Sequence, residues 1–217
     1  ARDLSSDADR YLNQPTPEPF QPNAEQSGIR ALRGAFIVLL GTLGATSSAR
    51  LKALFDGASN MTEKLASLRA LCVAKGDQTD AAIAAFAEEW SDNELVMDKW
   101  FAVQAGTGTV DDVARLLKHP KFDLSNPNRV RSVIAVFAMQ NLAAFHDATG
   151  SGYALVADVI KQPDRKNPAL AARLLTAFEQ WKSLEPTARA AAERTLKDLQ
   201  SQTLSKNALD IITRTLS

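Results

Sequence analysis

Residues 125–141, SNPNRVRSVIAVFAMQN, decide the fold class of this chain. Their apolar residues recur at spacings of three and one, which is the period of one face of an α-helix. Asn126 can cap the start of this helix, and Pro127 suits the first helical position because its φ is fixed and it lacks an N–H. The stretch therefore predicts a helix whose buried face holds Val130, Val133, Ile134, Phe137 and Ala138.

Two later stretches show the same helical period. One predicted buried face consists of Leu170, Leu174, Leu175, Phe178 and Trp181, and the other of Ala188, Ala191, Ala192, Leu196 and Leu199. The alternation of β-branched residues that is typical of strands is essentially missing from Glu25 onward. The predicted fold class is all-α.

A second Asn-Pro pair, Asn167-Pro168, begins 41 residues after Asn126. This distance falls within the roughly 40 to 47 residues of HEAT and armadillo helix-pair repeats. With only two copies of the Asn-Pro pair, coincidence explains the spacing as well as a true repeat does. With so many short helices, the predicted architecture is a superhelical array of antiparallel helix pairs, a HEAT/armadillo-like α-solenoid.

Helix boundaries are predicted from caps and glycines. Thr109 precedes an apolar residue and two carboxylates, which favours a helix start. Gly57, Gly76 and Gly106 are predicted to close helices in the left-handed conformation.

Four of the nine prolines lie in QPTPEPFQP, residues 14–22. Proline favours extended backbone and breaks a helix at the preceding residue, so residues 13–25 are predicted to form a loop or strap. The predicted organisation is a linker or strap over residues 1–25 and one α-helical domain over residues 26–217. Because the chain starts with ARDLSSDADRYL and not with methionine, we expect it to be part of a longer protein.

Composition excludes several classes of protein. The 217 residues are 45% hydrophobic, which suffices for a core, and 25 basic residues balance 25 acidic ones. Without a run of five like charges, neither nucleic acid nor an anionic membrane is an expected partner. The most apolar run, residues 35–45, is well short of the roughly 20 residues of a membrane span and predicts a core helix. The single cysteine, Cys72, predicts a buried thiol in an apolar helix and a reducing, cytoplasmic location.

Motifs that carry chemistry are missing from the sequence. His119 and His146 lie 27 residues apart, so they do not form the paired-histidine motif of a helical zinc site. Phosphate-binding glycine loops and the nucleophile elbow of serine hydrolases are also absent. The glycosylation-like triplet at residues 60–62 is better explained as a helix start capped by Asn60 or Thr62. We therefore expect no catalytic or metal-binding residues in this chain.

Three arginines flank the predicted apolar faces. Taking Val130 as zero on a helical wheel, Arg131 lies near 100° and Arg129 near 260°, and Arg173 lies at an edge of its own face. One interpretation is that these side chains snorkel along the surface and pair with nearby acids. The other is that they offer a planar fork to carboxylates or phosphates.

Several blocks of the sequence together resemble the C-terminal helical domain of bacterial aminopeptidase N, a family of zinc-dependent aminopeptidases. The similarity runs in order from about residue 30 to residue 216. The blocks are NMT (60–62), LVMDKWF (95–101), HPKFDLSNPNRVRS (119–132), AAFHDATGSGY (143–153) and RKNPALAARLL (165–175).

This resemblance implies a parent enzyme with an N-terminal β domain, a thermolysin-like catalytic domain, a small β domain and this helical superhelix, which closes over the active site. In that family an HExxH motif and a downstream glutamate hold Zn²⁺, and a GAMEN-type loop grips the free amine of the substrate. None of these motifs is present here. The chain is then expected to be inactive alone and to hold no cofactor. Its expected partners are the catalytic domain of the same polypeptide and peptide substrates.

The resemblance also implies that Arg131 and Arg173 face the catalytic chamber and contact peptide beyond the scissile bond, while Arg129 keeps the surface interpretation. Such a domain would cap the chamber and help to bind and select peptides. The alternative is a stand-alone α-solenoid scaffold, in which the arginines bind an acidic helix or tail of a protein partner.

Overall fold

The computed structural model describes residues 2–162 and 167–217, and every regular element within these ranges is helical. The predicted all-α class is therefore confirmed. Ala1, where the predicted strap begins, and Arg165 and Lys166 of the block at residues 165–175 lie outside the described residues. The chain forms two compact units, Ala1–Val103 (unit 1) and Gln104–Ser217 (unit 2).

The described residues of unit 1 form six helices and one short 3-10 turn, Gly44–Ser47. The last two residues of its sixth helix belong to unit 2. The helices are α1 (Arg2–Leu12), α2 (Ala24–Gly41), α3 (Ser48–Asp56), α4 (Met61–Ala74), α5 (Thr79–Trp90) and α6 (Glu94–Ala105).

The N-terminal segment contains one helix where a linker or strap was predicted. Helix α1 lies within the predicted strap and packs against α2, and its Ala8 and Leu12 are buried. Residues 13–23 are non-helical, as predicted from their prolines, and α2 begins immediately after its cap, Asn23. The division of the chain at residue 26 stays a prediction.

The core of unit 1 forms where α2 and α4 pack together. Ile37 and Leu40 of α2 are buried, which confirms the apolar run as part of a core helix. A Cβ added at Gly41 would lie 2.8 Å from the carbonyl oxygen of Ala70, so the two backbones approach too closely for a larger residue. Cys72 is buried in α4, as predicted.

Two of the predicted glycine helix ends are wrong. Gly57 closes α3 with φ −84°, outside the left-handed region. The left-handed residue at the end of α4 is Lys75, with φ 52° and ψ 37°. Gly76 has a different constraint, since an added Cβ would lie 2.4 Å from the Ser48 Oγ atom.

Unit 2 contains helices α7 to α14, with 3-10 turns at Thr176–Phe178 and Trp181–Ser183. A π-helical turn, Arg131–Ala135, joins α8 to α9. The helices are α7 (Val110–Leu117), α8 (Pro127–Val130), α9 (Val136–Gln140), α10 (Leu142–Phe145), α11 (Ser151–Lys161), α12 (Pro168–Leu175), α13 (Pro186–Gln200) and α14 (Lys206–Leu216).

An aromatic cluster forms part of the core of unit 2. The ring of Phe145 lies 5.1 Å from that of Tyr153, 5.7 Å from that of Phe178 and 5.9 Å from that of Phe137, measured between centroids. The contacts are edge-on, which is a favourable geometry for aromatic pairs. All members of the three predicted apolar faces are buried.

Candidate functional site

The first Asn-Pro motif starts a helix as the sequence predicts. The Asn126 side-chain oxygen accepts hydrogen bonds from the backbone N–H groups of Asn128 at 3.0 Å and Arg129 at 3.3 Å. Pro127 occupies the first turn. The preceding loop is ordered by Asp123, whose carboxylate accepts from the Ser125 N–H at 2.8 Å. This cap fixes the backbone from which Arg129 and Arg131 project.

Arg129 is buried, and its surface interpretation is wrong. Its side chain is 1% exposed and donates to the carbonyl oxygen of Lys121. Arg129 and the wheel's reference residue, Val130, are adjacent in α8, so the wheel gives their relative angle but not which neighbouring segments cover each side chain. The carbonyl oxygen that Arg129 binds belongs to the preceding loop, which a helical wheel does not include. The buried Arg129 side chain therefore connects the 119–126 loop to the helix.

Arg131 and Arg173 are both exposed. Arg131 is the first residue of the π turn and donates to the side-chain oxygen of Asn128. Arg173 lies in the last turn of α12, whose cap Asn167 accepts from the Leu170 N–H at 3.1 Å. Within residues 2–162 and 167–217, no side-chain hydrogen bond or ion pair holds the Arg173 guanidinium. Both groups are thus accessible to a ligand.

The two arginines belong to different packing neighbourhoods of unit 2. The π turn packs against α7, α8 and α9, whereas α12 packs against α11 and α14. In the described part of the chain, no hydrogen bond joins Arg131 to Arg173 or links both to one partner. Their predicted role in binding peptide stays a prediction.

Two histidines and one tyrosine of unit 2 have pKa values shifted towards their neutral forms. His119 accepts the Lys121 N–H on Nδ1 at 3.1 Å, and burial, followed by the charges of Arg129 and Lys121, lowers its pKa. His146 lies 2.9 Å from the Tyr153 hydroxyl, and burial lowers the pKa of this histidine. Burial, with the Glu185 charge second, raises the pKa of Tyr153 to about 12. The His146–Tyr153 pair is suited to packing and hydrogen bonding more than to proton transfer near neutral pH.

The described residues contain neither a metal-binding cluster nor a membrane-spanning helix. Across residues 2–162 and 167–217, no three His, Cys, Asp or Glu side chains are grouped so that they could hold a metal ion. Within the same ranges, none of the helices has the length and apolar character needed to cross a membrane.

Comparison with known families gives a match over the whole chain. The family described as "Domain of unknown function (DUF3458_C) ARM repeats" matches residues 1–217. The chain belongs to this family. Its ARM-repeat description agrees with the predicted all-α fold of the HEAT or armadillo type.

Curated relatives carry the name aminopeptidase N. The protein from Caulobacter vibrioides is 37% identical over 205 residues, covering 91% of this chain and 23% of the relative. The protein from Escherichia coli is 36% identical over 167 residues, covering 75% of this chain and 19% of the relative. The resemblance seen in the sequence is confirmed.

A solved structure shows the same fold. Aminopeptidase A of Legionella pneumophila, in complex with aspartic acid, matches 100% of this chain with a TM-score of 0.86 and 29% identity. The match covers 27% of that protein. The chain thus spans about a quarter of the length of these relatives and corresponds to one helical region of an aminopeptidase.

Proposed function

We propose that this chain is the C-terminal helical domain of a zinc-dependent aminopeptidase N, which removes N-terminal amino acids from peptides. In the assembled enzyme, the domain caps the active-site chamber and helps to bind and select peptides. The supporting observation is the family match over residues 1–217, combined with aminopeptidase relatives that are about four times longer. The catalytic domain of the same polypeptide is its proposed partner.

Zinc is assigned to another part of that polypeptide. The described residues of this chain offer no group of side chains suited to a metal ion, so they do not fit a zinc site. No step of peptide hydrolysis is therefore assigned to residues of this domain. A cytoplasmic location stays a prediction.

Arg131 and Arg173 are the proposed peptide contacts. Each carries a planar guanidinium group that can donate two parallel hydrogen bonds to a peptide carbonyl or a terminal carboxylate. Both are exposed on helices whose first turns are fixed by asparagine caps. The rigid helix starts limit the positions that each guanidinium can reach, which lowers the entropic cost of binding.

The test uses the full-length enzyme with Arg131→Ala and Arg173→Ala. Each change should raise KM for tetra-alanine about tenfold, since a hydrogen bond to a charged group is lost, and should change KM for alanyl p-nitroanilide less than twofold. Arg194→Ala, at an exposed arginine of α13, is the matched control and should leave KM unchanged for both substrates. Equal effects on both substrates would argue against contacts beyond the scissile bond.

The isolated chain gives a second test of the assignment. With added zinc, residues 1–217 should not hydrolyse alanyl p-nitroanilide, because the proposed metal site lies elsewhere. If hydrolytic activity copurifies with the chain and is abolished by a chelator, the assignment of a non-catalytic domain is wrong.

A further inference from the structure

Helix α2 holds the proline-rich, non-helical segment that follows α1. This segment, residues 13–23, is called the strap from here on. Three side chains of α2 contact it, Gln26, Arg30 and Arg33. Their spacings of four and three residues place them on one face of the helix. The strap runs antiparallel to α2, because its first residues lie near Arg33 and its last residues near Gln26.

These side chains bind the main chain of the strap. Gln26 accepts the Gln21 N–H at 2.8 Å and donates to the Pro19 carbonyl oxygen at 3.0 Å. Arg30 donates to the Gln21 carbonyl oxygen from both terminal nitrogens at 3.4 Å. Arg33 donates to the Gln14 carbonyl oxygen at 2.8 Å. Main-chain groups are common to all peptides, so this face selects conformation more than sequence.

Two further contacts involve side chains of the strap. Thr16 donates to the Glu63 carboxylate at 3.3 Å, and the guanidinium of Arg30 lies 4.5 Å from the centre of the Phe20 ring. Phe20 itself is 55% exposed, and Pro15, Pro19 and Pro22 are exposed as well. The strap is thus held by polar contacts on its inner side and buries little apolar surface.

The charged groups beneath the strap remain paired without it. Arg33 and Glu63, with side chains 7% and 5% exposed, form an ion pair at 3.1 Å. Arg30 also donates to the side chains of Gln26 at 3.2 Å and Ser27 at 3.1 Å. An unpaired buried charge would be costly, but release of the strap leaves none here. The binding surface can therefore persist when the strap leaves it.

We propose that the face of α2 formed by Gln26, Arg30 and Arg33, together with Glu63 of α4, is a binding cradle for a non-helical, proline-containing peptide. The chain's own strap fills the cradle, and the cradle accepts such a peptide in trans once the strap is weakened. Proline suits this ligand because it disfavours helix and has no N–H that would need a partner. This site lies in unit 1 and is independent of the proposed role of Arg131 and Arg173.

The first experiment measures binding in trans. The probe is a fluorescent synthetic peptide of residues 13–23, NQPTPEPFQPN, and the host is the 217-residue chain with residues 15–22 replaced by a Gly-Ser sequence of equal length. A flexible replacement occupies the cradle less well because ordering it costs more entropy. Fluorescence anisotropy should show that the peptide binds the host at least about tenfold more tightly than it binds the unchanged chain. Equal affinity for both chains, or no binding to either, would overturn the proposal.

Substitutions in the host locate the peptide. Gln26→Ala removes two hydrogen bonds to the main chain and should weaken binding about tenfold. Gln26 is half-buried in the first turn of α2, so its loss should leave the fold intact. Gln180→Ala, at an exposed glutamine of unit 2, is the matched control and should leave affinity unchanged. Equal losses from both changes would place the peptide elsewhere.

A second measurement does not depend on folding of the Gly-Ser chain. In the otherwise unchanged chain, Gln26→Ala should accelerate hydrogen exchange of the Gln21 amide about tenfold, because that amide loses its acceptor. Amides of α5 should keep their exchange rates. Unchanged exchange at Gln21 would show that Gln26 does not hold the strap and would overturn the cradle.

Discussion

The two Asn-Pro helices of unit 2 begin alike and then diverge. In each, an asparagine side chain caps the helix and a proline occupies the first turn. The first helix continues through a π turn to Gln140, whereas α12 ends at Leu175 and continues as a 3-10 turn. The first also places an arginine in the core, while the single described arginine of α12, Arg173, is exposed.

This difference separates local from tertiary causes of structure. The cap depends on two adjacent residues and forms in both copies. The burial of Arg129 depends on tertiary structure, because its partner is the Lys121 carbonyl oxygen of the preceding loop. Arg129 thus has a structural role, and Arg131 and Arg173 are the arginines left accessible for binding.

Removal of Arg129 should have the largest effect on stability. Arg129→Ala removes the hydrogen bond to the Lys121 carbonyl oxygen and creates a cavity, so the free energy of unfolding should fall by about 3 kcal/mol. Arg173→Ala, on the exposed counterpart, should change it by less than about 0.5 kcal/mol. Urea unfolding followed by circular dichroism measures both. A loss below about 1 kcal/mol for Arg129→Ala would contradict its structural role.

The pKa of His119 is an independent measure of the effect of Arg129→Ala. Burial is the main cause of its lowered pKa, and the charge of Arg129 is the next. Arg129→Ala should therefore raise the pKa of His119 towards its ordinary value, because removal of a nearby positive charge favours the protonated form. Titration of the His119 ring by NMR detects the change, and Arg173→Ala serves as the control. An unchanged pKa would show that Arg129 does not lie close to His119.

Substitution of the two caps should have the next largest effects. Asn126 accepts from two backbone N–H groups and Asn167 from one. Asn126→Ala should lower the free energy of unfolding by about 1 to 2 kcal/mol, and Asn167→Ala by about 1 kcal/mol. Asn→Asp at each position keeps an acceptor and should be nearly neutral. If Asn167→Ala costs more than Asn126→Ala, the number of capped N–H groups does not decide the effect.

Much of the fold could be predicted because periodic burial and helix caps are local signals. The face from Ala188 to Leu199 is buried as predicted, and Thr109 forms the expected helix start with Asp112. The apolar face from Leu170 to Trp181 was also found, although the backbone changes there from α to 3-10. Apolar spacing reports which residues are buried and does not distinguish these helix types.

The cradle in unit 1 could not be predicted in the same way. Gln26, Arg30 and Arg33 have helical spacing, but polar residues at such spacing usually mark a solvated face. The strap contacts them through its main chain, which leaves no complementary pattern in the sequence. The burial of Arg129 was missed for a related reason, since its partner is a backbone carbonyl group eight residues away. Side-chain contacts with main-chain groups need the fold before they can be located.

Arg131→Ala and Arg173→Ala should have the smallest effects on stability. Without the Arg131 side chain, the exposed side-chain oxygen of Asn128 accepts from water instead, and the described part of the chain holds no partner for the Arg173 guanidinium. Each change should therefore alter the free energy of unfolding by less than about 0.5 kcal/mol. The measurement is urea unfolding of the isolated chain, with Arg129→Ala as the destabilised reference. If either change costs more than about 1 kcal/mol, that arginine supports the fold, and a loss of peptide turnover on its removal could no longer be attributed to a missing substrate contact.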